Sequence, residues 1–362
     1  MIKNICLLAF AFVNILSATI ESLTLEEKIG QLLLVHFHGG IPNADSEILL
    51  KEAHVGGFIY YKWANQLSDP QQVKQLSKGL QKQSSLPLFI AVDQEGGRVN
   101  RLTDGFTLYP SNQEVAAARQ PAKAFEVALG IGHELKAVGI NLNFAPVVDV
   151  NNNPHNPVIN NRSFGADPQL VADFGAQALA GYKQAGIAAT LKHFPGHGDV
   201  TVDSHEALPV INKPLVVLQA MELLPFRQLA SQAPLIMTSH LLVTALDPTQ
   251  PVTFSSFIVD KLLRKEMGYQ GIIISDSLVM KGLDGYYSSL AEAALKTLLA
   301  GHDIVLLGGK VLNGNEDREL LPHDVLVIHR YLVQAVRQGK LPLEQVNQSV
   351  QRILTLKKTL VD

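Results

Sequence analysis

The feature that most constrains the fold of this chain is a regular alternation between short apolar runs and longer amphipathic stretches. Gly or Pro marks most of the junctions between them. A continuous apolar run such as Gly271–Ser275 is typical of a strand that is buried on both faces of a parallel sheet. Eight such runs are predicted as strands: Gln31–Phe37, Val55–Tyr61, Pro87–Asp93, Ile140–Val150, Ala188–Phe194, Pro234–His240, Gly271–Asp276 and His302–Leu307.

The stretches between these runs carry apolar residues at helical spacing. Eight strand–helix alternations in chain order predict a (β/α)8 barrel, with an open doubly wound sheet as the alternative. No low-complexity linker divides the chain, so residues 19–362 are predicted to form one domain, with the tail Leu343–Leu360 as an extra helix packed outside. The clearest of the other predicted helices are Glu114–Val138, Pro168–Gln184, Pro214–Leu229 and Leu290–Ala300.

Composition and charge exclude several classes of protein. Apolar residues make up 47% and charged residues 17% of the chain, which is ordinary for a globular protein with a large core. The 30 basic and 33 acidic residues give a net charge of -3, and no basic run offers a surface for phosphates, so no nucleic-acid partner is expected. The single cysteine, Cys6, excludes internal disulfides and a thiolate zinc cluster. No metal or other cofactor is expected.

The first eighteen residues have the plan of a secretory signal. Lys3 precedes an uncharged apolar run, Ile5–Val13, and the segment reaches small residues at Ser17 and Ala18. The run is too short for a stable membrane anchor. We therefore expect an exported protein, periplasmic or secreted. The alternative is an N-terminal helix that packs on the domain, in which case the protein is cytoplasmic.

Polar and titratable residues are concentrated where the predicted strands end, which is where chemistry lies in a (β/α)8 barrel. Asp93 closes the third run, and Arg162 lies in the loop after the fourth. Lys192 and His193 end the fifth, and an ammonium group there is costly to bury unless it meets an acceptor or a ligand. Asp276 directly follows the seventh run, where a carboxylate can act as a nucleophile or stabilise a cation. The alternative to a catalytic role is that Asp276 caps the N-terminus of the next helix.

The segment from Lys192 to His205 is the most informative part of the chain. Proline and glycine at positions 195, 196 and 198 disfavour helix and allow unusual backbone angles. Three histidines and two aspartates lie within these fourteen positions. A solvated polar loop does not account for so many groups that titrate or coordinate, so the segment is predicted to be functional.

At these residues the chain resembles glycoside hydrolase family 3, and within it the single-domain bacterial β-N-acetylglucosaminidases (β-hexosaminidases) that act on cell-wall fragments. The most specific motif is Lys192-His-Phe-Pro-Gly-His-Gly198 followed by Asp203-Ser-His205. Asp93–Arg98 and Ile274–Leu278 are supporting motifs, and the match extends from Leu25 to Lys357. The histidine-bearing loop is the feature that points to the hexosaminidase branch.

The resemblance implies a role for each matched residue. Asp276 aligns with the catalytic nucleophile, His205 with the general acid/base, and Asp203 with the residue that orients that histidine. Gln94 and Asn161 depart from the family pattern, where a histidine and an aspartate are common. The positions where the family binds the terminal sugar are Asp93, Arg101, Arg162, Lys192 and His193.

The function expected from these roles is retaining hydrolysis. The enzyme removes terminal β-linked N-acetylglucosamine through a covalent glycosyl-enzyme intermediate, and peptidoglycan fragments are the expected substrates. Another family 3 β-glycosidase and a phosphorylase are the alternatives, because a histidine acid/base is compatible with phosphate as the acceptor.

Two functions from other classes are weighed against this one. A metal-dependent amidohydrolase also uses a barrel, and here His36, His38, His193 and His240 are the imidazoles that could converge on zinc. A non-catalytic sugar-binding barrel is the second, and it is disfavoured by Asp276 together with the Asp203/His205 pair.

Overall fold

The computed structural model describes residues 20–204, 206–311 and 318–360. Its core is a barrel of eight parallel strands, most of whose residues are fully buried. We number them β1 to β8 in chain order: Leu33–Val35, Gly57–Ile59, Phe89–Val92, Leu142–Asn143, Ala188–Phe194, Leu235–Thr238, Ile272–Ser275 and Val305–Leu307.

Each strand is hydrogen-bonded to its neighbours in the sequence, and β1 also pairs with β8. A parallel bridge between Ile274 and Ile304 joins β7 to the start of β8 and closes the sheet. Closure removes both edges of the sheet, so all strands are paired on both sides. The predicted (β/α)8 barrel is confirmed, and the doubly wound alternative is wrong.

Helices surround the barrel. In the described part of the chain, none combines the length and apolar character needed to cross a membrane. Phe257–Glu266 has π-type hydrogen bonding. The α-helices are Leu25–Gln31, Ala44–Lys51, Lys62–Asn65, Pro70–Gln83, Asn112–Ala117, Ala122–Ala137, Pro168–Ala185, Leu215–Ala220, Leu223–Leu229, Leu290–Ala300, Pro322–Arg337 and Leu343–Leu360. Short 3-10 turns are Ile20–Ser22, Asn160–Arg162, Ala230–Gln232, Val252–Phe254 and Lys281–Leu283. Three small two-stranded sheets lie outside the barrel in the described residues. They pair Gln94–Gly96 with Val99–Asn100, Val210–Ile211 with Leu242–Val243, and Lys310–Val311 with Arg318–Glu319.

Local sequence signals explain where long helices begin and end. Asp167 caps Pro168–Ala185, since its Oδ1 accepts from the backbone N–H groups of Gln169 and Leu170. Pro at the first helical position loses no hydrogen bond. The helix stops at Gly186, which adopts a left-handed conformation.

Three predicted elements are shorter than expected because of proline and local turns. The helix predicted over 114–138 breaks around Pro121 into two helices. The helix predicted over 214–229 breaks at Met221. In a continuous helix the Met221 carbonyl would accept from the N–H of residue 225, but Pro225 has no N–H to donate. The strand predicted over 140–150 keeps regular pairing at Leu142–Asn143, and Pro146 lacks the N–H that the ladder needs.

The C-terminal helix lies against the outside of the barrel, as predicted. Asp303, two residues before β8, is almost fully buried and accepts hydrogen bonds from Ser349 and Arg352 of this helix at 2.8 and 2.9 Å. Lys357 is also buried. Its ammonium group donates to Gln31 Oε1 at 2.7 Å and to the Gly56 carbonyl at 2.6 Å.

The Lys357 contacts generate a prediction about stability and pH. Burial lowers the pKa of Lys357 to about 7, whereas an unfolded lysine has a pKa of about 10.4. Between these two pH values the unfolded chain binds more protons at this lysine than the folded chain does. The cost of burying the charged ammonium group therefore lowers stability most below pH 7, and this cost falls as the pH rises.

We expect Lys357→Met to remove this pH dependence. The free energy of unfolding of the unaltered protein should rise, relative to that of the variant, by on the order of 3 kcal/mol between neutral and alkaline pH. Lys358→Met, at the exposed neighbouring position, is the control and should leave the profile unchanged. Parallel profiles for Lys357→Met and the unaltered protein in denaturant titrations would contradict the prediction.

Candidate active site

A cavity of about 530 Å³, lined by both charged and apolar side chains, opens at the carboxyl ends of the barrel strands. This volume lies in the usual range for a small-molecule site. Seven of the eight residues predicted from the sequence line the cavity, and His205 lies outside the described residues. The seven are Asp93, Arg101, Arg162, Lys192, His193, Asp203 and Asp276.

A network of charges forms one wall of the cavity. The Lys192 ammonium group, from β5, lies 2.7 Å from Asp93 Oδ1 and 2.6 Å from Glu95 Oε1. Arg162 makes a bidentate contact with the same Glu95 carboxylate at 2.8 and 2.9 Å. Arg101 approaches Asp93 more loosely, at 3.8 Å. Buried charges need such partners, so the network fixes the two inner cations in place.

Glu95 was missed by the sequence analysis, although it lies two residues after Asp93. Burial by itself would raise the pKa of Glu95, but the charges and hydrogen bonds of Arg162 and Lys192 hold it below its usual range. Glu95 therefore stays ionised and serves as a shared anionic partner of both cations, while Asp93 supplies the second negative charge beside Lys192. Its place between the end of a predicted strand and the Gly96-Gly97 pair was the sequence signal that could have identified Glu95.

His193 forms a buried pair with Asp149, which the sequence analysis also missed. The ring Nδ1 lies 2.6 Å from Asp149 Oδ2, and the backbone N–H groups of His193 and His197 donate to Asp149 Oδ1. Burial opposes ionisation of Asp149, but the nearby histidines and these hydrogen bonds hold its pKa below the ordinary value. With Nδ1–H donating to Asp149, the ring Nε2 is left to accept from Arg162 Nη2 at 3.5 Å.

His197 lines the same cavity without a hydrogen bond from either ring nitrogen among the described residues. It is 2% exposed, and its ring lies 5.8 Å from that of His193. Burial lowers the pKa of His197 to about 4, so the ring is neutral near pH 7. A neutral imidazole here offers one donor and one acceptor to a bound ligand.

Asp276 follows β7 and reaches the cavity, as predicted. Its backbone N–H donates to the Thr238 carbonyl at 3.0 Å, and its Oδ1 accepts from the Ser277 N–H at 2.7 Å. Ser277 Oγ in turn donates to the Gly308 carbonyl at 2.5 Å. The helix that follows, Leu290–Ala300, is capped by Ser289, so Asp276 is not its N-cap.

The loop after β5 packs tightly against its surroundings. Gly198 lies so close to the Val150 carbonyl that a Cβ atom would collide with it, and Gly196 has φ of +132° with Glu222 beside it. The Lys213 ammonium group ties the loop down, since it lies 2.6 Å from both Asp199 and Glu222.

Gln94 holds the segment that follows it. Its Oε1 accepts from the backbone N–H groups of Arg101 and Leu102 at 2.9 and 3.0 Å, and its Nε2 donates to the Leu102 carbonyl. Gln94 thereby fixes the backbone that presents Arg101 to the cavity.

The histidines of the amidohydrolase alternative are engaged elsewhere. His38 contacts Glu319 at 3.1 Å, and His240 contacts Thr253 Oγ1 and the Ser277 carbonyl. His36 packs against the Trp63 ring. Within residues 20–204, 206–311 and 318–360, no group of three or more His, Cys, Asp or Glu residues could hold a metal ion.

The fold and cavity define a class of protein: a (β/α)8 barrel with a cavity, lined in part by charged residues, at the carboxyl ends of its strands. Residues 24–356 match the glycosyl hydrolase family 3 N-terminal domain. The chain belongs to this family.

Individual relatives agree with this assignment. "Beta-hexosaminidase A" of Pseudoalteromonas piscicida is 37% identical over 337 residues, which cover 86% of this chain and 54% of the relative. "Beta-hexosaminidase LpqI" of Mycobacterium tuberculosis is 35% identical, with 91% of this chain and 82% of the relative covered. A solved β-N-acetylglucosaminidase from Paenibacillus superposes with a TM-score of 0.88 and 40% identity over 94% of this chain and 63% of that one. The chain thus spans about half of the first relative's length.

The charge network generates a prediction about Glu95. Glu95→Gln leaves Lys192 and Arg162 without their shared countercharge, and breaking a buried ion pair in this way destabilises proteins by about 3–5 kcal/mol. We expect a loss of this size in the free energy of unfolding. Glu126→Gln removes an exposed pair with Lys123 and should cost less than about 1 kcal/mol. Similar losses for the two variants in urea titrations would show that the network does not stabilise the barrel.

Proposed function

We propose that this protein is a retaining β-N-acetylhexosaminidase that removes terminal β-linked N-acetylglucosamine from the non-reducing end of its substrates. The observation that carries the proposal is that Asp276 lines the same cavity as the Asp93–Glu95–Lys192–Arg162 network. Family membership and the names of the relatives support the choice of reaction and sugar.

Asp276 is assigned as the nucleophile. Breaking a glycosidic bond places positive charge on the anomeric carbon and the ring oxygen, and a carboxylate on one face stabilises this charge and then bonds to the carbon. The Ser277 N–H and the fixed end of β7 orient the Asp276 carboxylate before substrate binds. Such preorganisation lowers the barrier because no reorganisation is needed during the reaction.

The charge network is assigned to the terminal sugar. Asp93 is an acceptor for sugar hydroxyls, whereas Lys192, Arg101 and Arg162 supply donors. His193 belongs to the same group. Its ring nitrogens contact Asp149 and Arg162, so we do not assign proton transfer to His193; we assign it to the sugar pocket because its ring lines the cavity beside Arg162.

Proton transfer is assigned to His205, oriented by Asp203. Asp203 lines the cavity, and the chain turns directly after it, with the Glu206 and Ala207 N–H groups donating to its carbonyl. Histidine suits the task because its ordinary pKa is near neutrality, so it can give and take a proton at working pH. The position of His205 in the cavity is part of this proposal and rests on the sequence motif.

Peptidoglycan fragments are proposed as the substrates, and export as the route to them. The signal-like segment 1–18 supports export, although it lies outside the described residues. The alternative reaction is phosphorolysis, in which the sugar is transferred to phosphate instead of water. Adding phosphate to the assay should leave the product as free sugar, and formation of a sugar 1-phosphate would instead identify a phosphorylase.

The first test concerns Asp276. A mechanism-based fluorinated N-acetylglucosaminide should label Asp276, and peptide mapping should locate the label there. Asp276→Asn should lower kcat on an aryl β-N-acetylglucosaminide by about 10³-fold or more, since the covalent step is lost. Asp260→Asn, at a position paired with Lys265 outside the cavity, is the control. A label on another residue, or a product of inverted configuration, would refute the assignment.

The second test concerns His205. A proton donor matters most when the leaving group is a poor one, so His205→Ala should reduce turnover of a methyl glycoside far more than that of a nitrophenyl glycoside. We expect at least about a tenfold difference between the two losses. His133→Ala, on the exposed side of the helix Ala122–Ala137, is the control. Equal losses on both substrates would argue against His205 as the acid.

A further inference from the structure

A second, more open hollow lies beside the active-site cavity. It has a volume of about 520 Å³ and is lined by Tyr61, Lys62, Trp63, Asn100 and Arg101. We name it the rim hollow. Tyr61 and Arg101 line the active-site cavity as well, so the two spaces share a wall.

Trp63 is the largest side chain of the rim hollow and is held by other rings. It stacks on Tyr61 with ring centroids 5.4 Å apart and an angle of 23° between planes. His36 contacts it edge-on at 5.3 Å. Even so, Trp63 is 42% exposed. An indole that is fixed from behind and open to solvent provides a rigid apolar surface with little entropy left to lose on binding.

Two polar atoms of residues that line the rim hollow have no hydrogen-bond partner among the described residues. They are Asn100 Oδ1, an acceptor, and Arg101 Nε, a donor, and both are buried from solvent. Buried polar atoms in proteins are normally satisfied, so a ligand in the hollow would gain two hydrogen bonds if the Asn100 and Arg101 side chains turned these atoms towards it. Lys62 is already engaged with Thr103 Oγ1 at 2.7 Å and Asp104 at 3.2 Å, which leaves the ring face and these two atoms to recognise the ligand.

A pyranose ring matches this arrangement. Its axial C–H groups form an apolar face that packs on an aromatic ring, and its hydroxyl groups both donate and accept hydrogen bonds. When the terminal sugar of a substrate is bound at Asp276, the next sugar of that substrate must lie towards the opening of the cavity. The rim hollow adjoins that cavity through Tyr61 and Arg101.

We propose that the rim hollow is the subsite for the leaving-group sugar of an oligosaccharide substrate, with Trp63 as its stacking platform. The inference rests on the proposed glycosidase function and adds that a second saccharide ring is recognised, not only the terminal one. Asn100 and Arg101 supply the acceptor and the donor for its hydroxyl or acetamido groups.

The first experiment uses the fact that Trp63 is the single tryptophan of the chain. Tryptophan emission of the Asp276→Asn variant is followed while N,N′-diacetylchitobiose or methyl β-N-acetylglucosaminide is added. Both ligands carry the same terminal sugar, but the disaccharide alone carries a second ring. We expect a saturable change in emission with the disaccharide and a much smaller one with the methyl glycoside. No change with the disaccharide, or equal changes with both ligands, overturns the proposal.

The second experiment measures the ratio of kcat/KM for diacetylchitobiose to kcat/KM for the methyl glycoside, so that a general disturbance of the cavity cancels. Trp63→Ala should lower this ratio by about tenfold, the size of one lost aromatic contact. Trp63→Phe, which keeps an aromatic face, should lower it by less than about threefold. Tyr331→Ala removes an equally exposed aromatic ring on the helix Pro322–Arg337 and should not change the ratio.

The outcomes separate the two proposals. If the unaltered protein hydrolyses both substrates and Trp63→Ala leaves the ratio within about twofold of its original value, the subsite is wrong and the glycosidase function stands. If the unaltered protein releases sugar from neither substrate, the glycosidase function fails and the subsite fails with it.

Discussion

The cavity end of this barrel depends on one interaction, the contact of the buried Lys192 ammonium group with the carboxylates of Asp93 and Glu95. A cation that is 2% exposed cannot remain charged in a barrel without acceptors close by. Glu95 also holds Arg162 by two hydrogen bonds, so one carboxylate fixes a cation from strand β5 and a second from the 3-10 turn Asn160–Arg162. Because the inner cations are paired within their own network, the cavity suits the neutral sugar that we propose as its ligand.

The other residues of the cavity follow from how loops are tied to this network. Asp149 receives the backbone N–H groups of His193 and His197 as well as the His193 ring, so it fixes the start of the loop after β5. Lys213 holds the same loop at Asp199, and the Gly282 N–H donates to the Ser204 carbonyl, which joins it to the segment after Asp276. The proposed acid/base segment and the proposed nucleophile are therefore connected by backbone hydrogen bonding, which suits two groups that must act on one bond.

Much of the fold could be predicted because strands buried on both faces leave a strong signal. All eight predicted runs contain a barrel strand, and Ile272–Ser275 lies within its predicted run. Boundaries were less accurate where proline acts locally: Pro146 shortens β4, and Pro225 divides a predicted helix. Side chains at strand ends, such as Lys192 and Asp276, could be predicted to line the cavity because the carboxyl ends of the strands meet there in this fold. Glu95 and Asp149 were missed, since nothing near them in the sequence indicates which cation or imidazole they meet.

The sequence by itself determined the alternation of strands and helices, the family, and the concentration of titratable groups after β3, β5 and β7. These are local properties, set by periodicity and by residue type. Only the tertiary structure decided which charges pair, which imidazole is engaged on both sides, and that Trp63 stands beside the cavity with its ring held by Tyr61. These contacts join residues far apart in the chain, such as Arg162 with Glu95, and barrel closure is what brings them within a few ångströms of each other.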